Sequence, residues 1–541
     1  MECCSSPLCN NKGCSQSGYP SNRGPICFDC QNISDPTLCD KLKVCEVNQA
    51  CYLQKEVESG NLHYTYSCIN KQACTSSVDI FGKRNIDGCS KCCLTDLCNI
   101  QCDGIPSSLT TLKTTTSNPT QLQTYTGNIG REFLILFMRN RAGSTGNLSI
   151  YITTENETEV TITSSPNLDT NLKSSVDKTF NITSESLITL PLDLQCEYMK
   201  IEPKGIFVRT TEVSNVTIFD SLNDGTSDGT LIIPTNKLST KYLVSSTEPF
   251  DTSMDLSQFA LLPLHDRTKI TITLKMKKTS SITLLGNTYG DGDTVLLNLD
   301  RLETFQIGHT TDLSGTFISA TKPIAVFSGN RCHRWSDLSN DCSHMLTELP
   351  PANELDNDYV IPSLHHNKET LLQVISENQT FINCSIGLHS ALRWHSNASE
   401  FKDISYNELT LLVSEKPILV VGFGMGFNSN NSHMTVIPGV NQYVNYYKIT
   451  VPDGYTENFM TVIIPIDSEY NLRINGGDAF KHKLVKIEHG GVGKIFYQIF
   501  TFQVEMGTYV ITTTDHSTFG LIVYGHRTHD GYAFAGNVVL P

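Results

Sequence analysis

Several features are scarce in this 541-residue sequence, and each scarcity excludes something. No apolar run approaches the roughly 18 residues of a membrane-spanning helix. The longest candidate, Ile418 to Phe427, is short and interrupted by Gly422, Gly424 and Gly426. Basic residues are few: 40 Lys and Arg face 55 Asp and Glu, a formal charge of −15, with no Lys/Arg block. Phosphate affinity comes from clustered positive charge, so nucleic acid is excluded as a partner. Tryptophan occurs twice, as Trp335 and Trp394. The chain does not open on a basic-then-apolar leader. HExxH, G-x-S-x-G and Walker motifs are all missing. Cysteine is scarce too, but only in the later part: 16 of the 20 lie between Cys3 and Cys102, followed by Cys196, Cys332, Cys342 and Cys384. This division marks a short segment that must be stapled and a long one able to bury its own core.

Dense cysteines mean disulfides or zinc, and Cys27-x-x-Cys30 suits both. Glycosylation sequons decide between them. They stand at Asn32, Asn147, Asn156, Asn181, Asn215, Asn378, Asn383, Asn397 and Asn430. Nine sequons beside this many cysteines favour an oxidising secretory route, and hence disulfides and a secreted glycoprotein. Residues 104–124, GIPSSLTTLKTTTSNPTQLQT, are a Ser/Thr/Pro-rich linker that cannot pack a core.

From Cys27 the order runs Cys30, Cys39, Cys45, Cys51, Cys68, Cys74, Cys89, Cys92, Cys93, Cys98, Cys102, and Cys92-Cys93-x4-Cys98-Asn99 forms the closing phrase. A C-x2-C opening with a CC-x4-CN ending resembles the three-finger superfamily of urokinase-receptor, lymphocyte-antigen and snake-toxin domains. The resemblance implies the pairs Cys27–Cys51, Cys30–Cys39, Cys45–Cys68, Cys74–Cys92 and Cys93–Cys98. Cys89 and Cys102, which depart from the simplest pattern, are inferred to pair with each other. Cys3-Cys4-x4-Cys9-Asn10 repeats the ending, with Cys14 placed after it as Cys102 follows Asn99. Residues 1–22 are therefore expected to be the end of an earlier three-finger domain, with Cys4–Cys9 closed and the fates of Cys3 and Cys14 open, in a chain cut from a longer one. A short disulfide-rich leader is the plainer alternative. Residues 23–103 are the complete domain.

After Tyr125 short Val/Ile/Thr/Phe/Tyr runs alternate with Gly/Asn/Asp turns, which predicts an all-β region of sandwich-like modules. One phrase recurs four times, at 205–220, 315–329, 408–423 and 507–525. Each copy reads as strand, polar turn, strand, and suits a hairpin near a module's end. A second phrase follows three of them: Ile233-Pro234 with Tyr242, Leu349-Pro350 with Tyr359, and Ile437-Pro438 with Tyr447. The spacing of roughly 90–110 residues fits a β-sandwich better than a propeller blade. The expected modules are 125–234, 235–350, 351–438 and 439–541, unless the strands interleave in one shared architecture.

The stretch from Gly315 to His333, then Asp341-Cys-Ser-His344 and Glu348-Leu-Pro-Pro351, resembles the N-terminal domain of the IgG Fc-binding protein family, which carries a PVAVxSGxxC…CxH…QLxP phrase in this order. Gly130-Arg-Glu-Phe133 matches that family's start. The resemblance implies a secreted protein that binds mucin, matrix or immune-type ligands, protein or glycan, without a cofactor. A structural matrix component is the alternative, and a metal-dependent enzyme a distant one.

Cys332 and Cys342 are spaced to fasten a loop, in which Arg331, Arg334 and Trp335 are candidate binding residues. Local packing of Trp335 is the competing reading. Cys196 and Cys384 pair across modules or stay as buried thiols. His309, His333, His344, His365 and His366 follow no metal-ligand spacing and read as scattered turn and surface residues. Asp224, Asp228, Asp291 and Asp293 read as Asp-Gly turns rather than calcium ligands. Tips of the second finger, Glu56, Glu58, His63 and Tyr64, are further contact candidates.

Overall fold

A computed structural model describes residues 24–30, 39, 41–58, 61–71 and 89–93, and 127–540 apart from 128, 142–144, 224–225, 251–254, 336–341, 366–368, 388–389, 426–431 and 528–529. The chain divides into two compact units, Met1–Gln121 and Leu122–Pro541.

In the first unit Gln49–Glu58 and Asn61–Asn70 form an antiparallel hairpin that sets Cys51 opposite Cys68, and Cys89–Cys93 flanks it. Ile26–Phe28 pairs with Leu42–Val44. Disulfides join Cys27–Cys51, Cys30–Cys39 and Cys45–Cys68. Cys27, Cys45 and Cys51 are themselves a core cluster. Crosslinks stand here for the apolar area that so short a thread of loops cannot bury, each worth about 2–4 kcal/mol. The pairings expected for Cys4, Cys9, Cys74, Cys89, Cys92, Cys93, Cys98 and Cys102 lie outside the described side chains, as does Asn32.

The second unit is all-β and repeats one arrangement four times. A long strand, Ile206–Leu222, pairs along its first half with Gly130–Ile135 and Thr158–Ser164, and along its second half with Gly146–Thr154 and Thr226–Leu231. Phe317–His333 does the same with Ser239–Leu243 and Thr268–Thr273, then with Ser257–Pro263 and Ser343–Glu348. Thr410–Met425 follows with Asp356–Ile361 and Thr380–Ile386, then Glu369–Ser376 and His433–Val436. In the fourth copy the long strand is split into Gly507–Thr513 and Gly520–Arg527. Alternation drives this locally: Thr294–Leu299 buries every second residue, which seals one face and wets the other.

The recurring phrase is thus a bent strand, not the expected hairpin. A tight hairpin needs residues that accept φ > 0. Thr211-Glu212-Val213 and Ser414-Glu415-Lys416 offer none, so the chain bends through a register shift and continues. Hydroxyls satisfy the corner's backbone. The Glu212 N–H donates to Thr158 Oγ1 at 2.8 Å and the Lys416 N–H to Thr380 Oγ1 at 3.0 Å. Only the fourth copy contains a positive-φ residue at this place, His516 at 61°, and only there is the strand broken.

The second phrase forms a tyrosine latch. The hydroxyls of Tyr242, Tyr359 and Tyr447 donate to the carbonyls of Ile324, Ile418 and Phe519, and each accepts the N–H three residues upstream. All three rings are fully buried. Tyr359→Phe is expected to cost about 1–3 kcal/mol, because it strands a buried carbonyl and the Asp356 N–H. Urea denaturation measures this, and an unchanged midpoint would show that the latch adds nothing.

The last strand of each copy (Thr226–Leu231, Ser343–Glu348, His433–Val436, Asp530–Ala535) packs against its neighbours in cyclic order around a common centre. The circle closes where the space beside Gly127 is filled by the Asn537 side chain and Lys237 Nζ donates to the Leu540 carbonyl at 2.6 Å.

Candidate functional site

Two buried polar centres organise the second unit, and the disulfide loop stands on one of them. Cys332 and Cys342 are joined and both buried. Beside them His333 Nδ1 shares a 2.6 Å hydrogen bond with Asp255 Oδ2, and both side chains are almost wholly buried. Asp255 also accepts from Asn330 Nδ2 at 3.2 Å and from the Phe250 N–H at 3.1 Å. Trp335 sets its ring edge-on to His333, 4.4 Å between centroids, and packs on the second repeat's core. It is half-buried, with its Nε1 buried and unpartnered. Arg331 is likewise half-buried, its Nε reaching the Asn140 carbonyl of the first repeat at 3.4 Å. Arg334 is half-buried as well. Residues 336–341 of the loop lie outside the described ones.

The second centre was not legible in the sequence as such. Asp228 is no turn residue: it stands in the strand Thr226–Leu231, completely buried. Its carboxylate accepts the Leu346 N–H at 3.1 Å, the Met434 N–H at 2.9 Å, the Ala533 N–H at 3.3 Å and its neighbour Gly229's at 2.8 Å. One side chain therefore ties the central strands of the other three repeats. A usable signal existed. Counting back five residues from Ile233, Leu349 and Ile437 gives Asp228, His344 and Ser432 at one position of the repeat. His344 lies 3.9 Å from Asp220, which accepts from Asn140 Nδ2 and Gln195 Nε2. Asp530 completes the group, accepting from the Ser227 N–H and hydroxyl and pairing with Arg527.

Burial dominates the titration of this region. It raises Asp220 to about 7 and Asp312 and Asp530 to about 6, and it lowers His344 to about 4. Unfolded aspartates titrate near ~3.9. Between about pH 4 and 7 the folded chain thus keeps protons that the unfolded chain releases, so stability is lost as pH rises through that window. His344 acts oppositely, because below ~6.5 the unfolded imidazole takes up a proton. Three carboxyls outweigh one imidazole. The urea midpoint is expected to be lower at pH 8 than at pH 5, and a midpoint that rises would contradict the assignment.

The other expected features fall as follows. Asn147, Asn156, Asn181, Asn378, Asn383 and Asn397 are exposed. Asn215 is a correction: it is 8% exposed, and its Nδ2 donates to the Lys448 carbonyl at 2.9 Å, between the first and fourth repeats, where a glycan has no room. Asn430 lies outside the described residues. Cys196 and Cys384 are unpaired buried thiols, pushed up by burial to about 12 and about 11. Cys384 points inward while Asn383 points outward, as neighbours on one strand must. Asp291 and Asp293 do cap a turn, accepting the Met276 and Gly290 N–H groups. Gly424 lies within the long third strand, where a Cβ would meet the His433 ring at 2.3 Å. His309 is half-buried, bonded to Thr311 and Ser281, whereas His333 and His344 are buried rather than on the surface. Among the described residues the one convergent set of metal-type donors is Cys27, Cys45 and Cys68, whose sulfurs are used in disulfides. Among them, too, no helix is long and apolar enough to cross a membrane. His63 and Tyr64 are half-buried on the hairpin of the first unit.

The human protein named IgGFc-binding protein is 25% identical over 353 residues, which is 62% of this chain and 6% of that protein. The chain therefore corresponds to a small fraction of that relative's length. Crystal structures of the Streptococcus pyogenes major pilin and of a point mutant of it share 8% identity, covering 55% of this chain and 98% of the pilin at a TM-score of 0.13, too low to imply a common fold. The family model described as IgGFc binding protein matches residues 228–525, which contain Asp228, Asp255, His333, both cysteines of the stapled loop, two whole central strands and most of a third. With more than half of its length matched, the chain belongs to the IgGFc-binding protein family.

Proposed function

We propose that this is a secreted, glycosylated binding protein without catalytic activity. It presents loops on four rigid β repeats, with boundaries near 234, 350 and 438, to extracellular ligands of mucin, matrix or immune type. The observation that carries this reading is the family match, together with a relative named for binding IgG Fc. Six exposed sequons and the disulfides described support the secretory route. The three-finger reading of 23–103 adds a second recognition surface on the same chain. Several sites on one chain bind a repetitive ligand such as mucin with avidity beyond that of any single site.

The test is a biosensor titration of the full glycosylated chain with IgG Fc and with purified mucin. Saturable binding to either is expected. If neither binds and the chain instead becomes insoluble and covalently assembled, the protein is structural and the recognition reading fails. Glycopeptide mapping should find sugar on the exposed asparagines and none on Asn215. A chain bare at all of them would remove the secretory support.

A further inference from the structure

Where the central strands end, the Ile-Pro and Leu-Pro phrases of the repeats enclose a cavity of about 50 Å³. Leu419, Val420, Ile437 and Phe534 wall it, and half-buried Leu355, Val436, Ala535 and Val538 bring it to the surface. Thr230, Thr347, Thr435 and Gln442 also line it, and among the lining groups one carboxyl stands out. Glu348 is 4% exposed; its Oε2 accepts the Ile233 N–H at 2.7 Å, and its Oε1 is buried without a partner. A buried carboxyl oxygen left unpaired is costly, and native structures rarely keep one without a reason.

We propose that this cavity binds a primary alkylammonium group, with the aliphatic stem against the apolar walls and the ammonium N–H donors on Glu348 Oε1. Once ionised the carboxylate only accepts, so a ligand that draws the proton off it must itself donate. A guanidinium fork wants two free oxygens and finds one. At roughly 10–15 Å³ per water-sized position, the cavity takes about three to five heavy atoms, the length of butylamine or of the outer part of a lysine side chain. Other charges nearby are Lys237, already bonded to the Leu540 carbonyl, and Glu354, whose Oε1 accepts from Asn353 and whose Oε2 is also buried without a partner but is not part of the cavity lining. Burial keeps the Glu348 carboxyl well above the usual carboxylate range. A cation that enters lets it ionise, and the proton goes to solvent.

The experiment is calorimetric titration of the full chain with n-butylamine. Saturable binding is expected, about tenfold or more weaker in Glu348→Gln. That variant keeps an acceptor for the Ile233 N–H, so its melting should be unchanged. Val538→Trp, at the mouth, should abolish binding. The site does not exist as proposed if n-butanol binds as well as n-butylamine, if Glu348→Gln binds equally, or if millimolar amine gives no saturable signal. Competition by Nα-acetyl-lysine amide assigns the site to lysine side chains of a partner, and failure to compete assigns it to free amines.

Discussion

Asp228→Ala is expected to destabilise the second unit by at least about 4 kcal/mol, the largest effect of any single polar substitution in this chain. Four buried amides lose their acceptor at once, those of Gly229, Leu346, Met434 and Ala533. Each buried orphan costs about 1–3 kcal/mol. The loss is not local, because three of the amides belong to other repeats, and alanine leaves nothing to hold those central strands in register. Asp228→Asn should fall between, since its carbonyl still accepts while its NH2 faces donors. Equilibrium urea denaturation of the full chain, read by circular dichroism, decides the matter. An alanine variant within about 1 kcal/mol of the parent would mean that the apolar cores alone hold the circle closed.

Asp255→Ala should cost at least about 3 kcal/mol, because several buried donors lose their acceptor at about 1–3 kcal/mol each. His333, Asn330 and the Phe250 N–H lose their shared acceptor. The functional consequence follows from position. His333 is next to Cys332, and its ring is what Trp335 leans on. The disulfide alone leaves the loop's approach angle free, so ligand binding through Arg331, Arg334 or Trp335 should weaken along with stability. Trp335 emission should shift toward that of solvated indole. Full stability with unchanged Trp335 emission would show that the pair is ornamental to the loop. Trp335→Ala gives the complement. The packing of this side chain on the second core predicts lost stability before lost binding.

Much of this architecture is legible in the sequence. The Val/Ile/Thr alternation marks strands, and the two recurring phrases mark a fourfold internal repeat. Both are local, written in side-chain period and in turn-forming residues. The bent strand shows where local pattern stops. Strand, polar residues, strand describes a hairpin and a bulged corner equally well at the level of pattern. The distinction rests on φ > 0 residues, which Thr211-Glu212 and Glu415-Lys416 do not supply, and on partner hydroxyls such as Thr158 and Thr380, some 35–55 residues away.

The sites divide in the same way. Cysteine spacing pointed to the stapled loop, because a loop of that length closes on itself. Asp228 and Asn215 could not be placed so. An aspartate before glycine is by local rule a turn, and Asn-Val-Thr is by local rule a glycan acceptor. Each was reassigned by groups more than 100 residues distant, the amides of Leu346, Met434 and Ala533 in one case and the Lys448 carbonyl in the other. The sequence by itself determined the strands, the repeats and the oxidised framework, because period, propensity and covalent reach act over short distances. The tertiary structure alone decided which polar side chains leave water, because the cost of burying an unpaired donor or acceptor is set by whatever partner the rest of the fold brings to it.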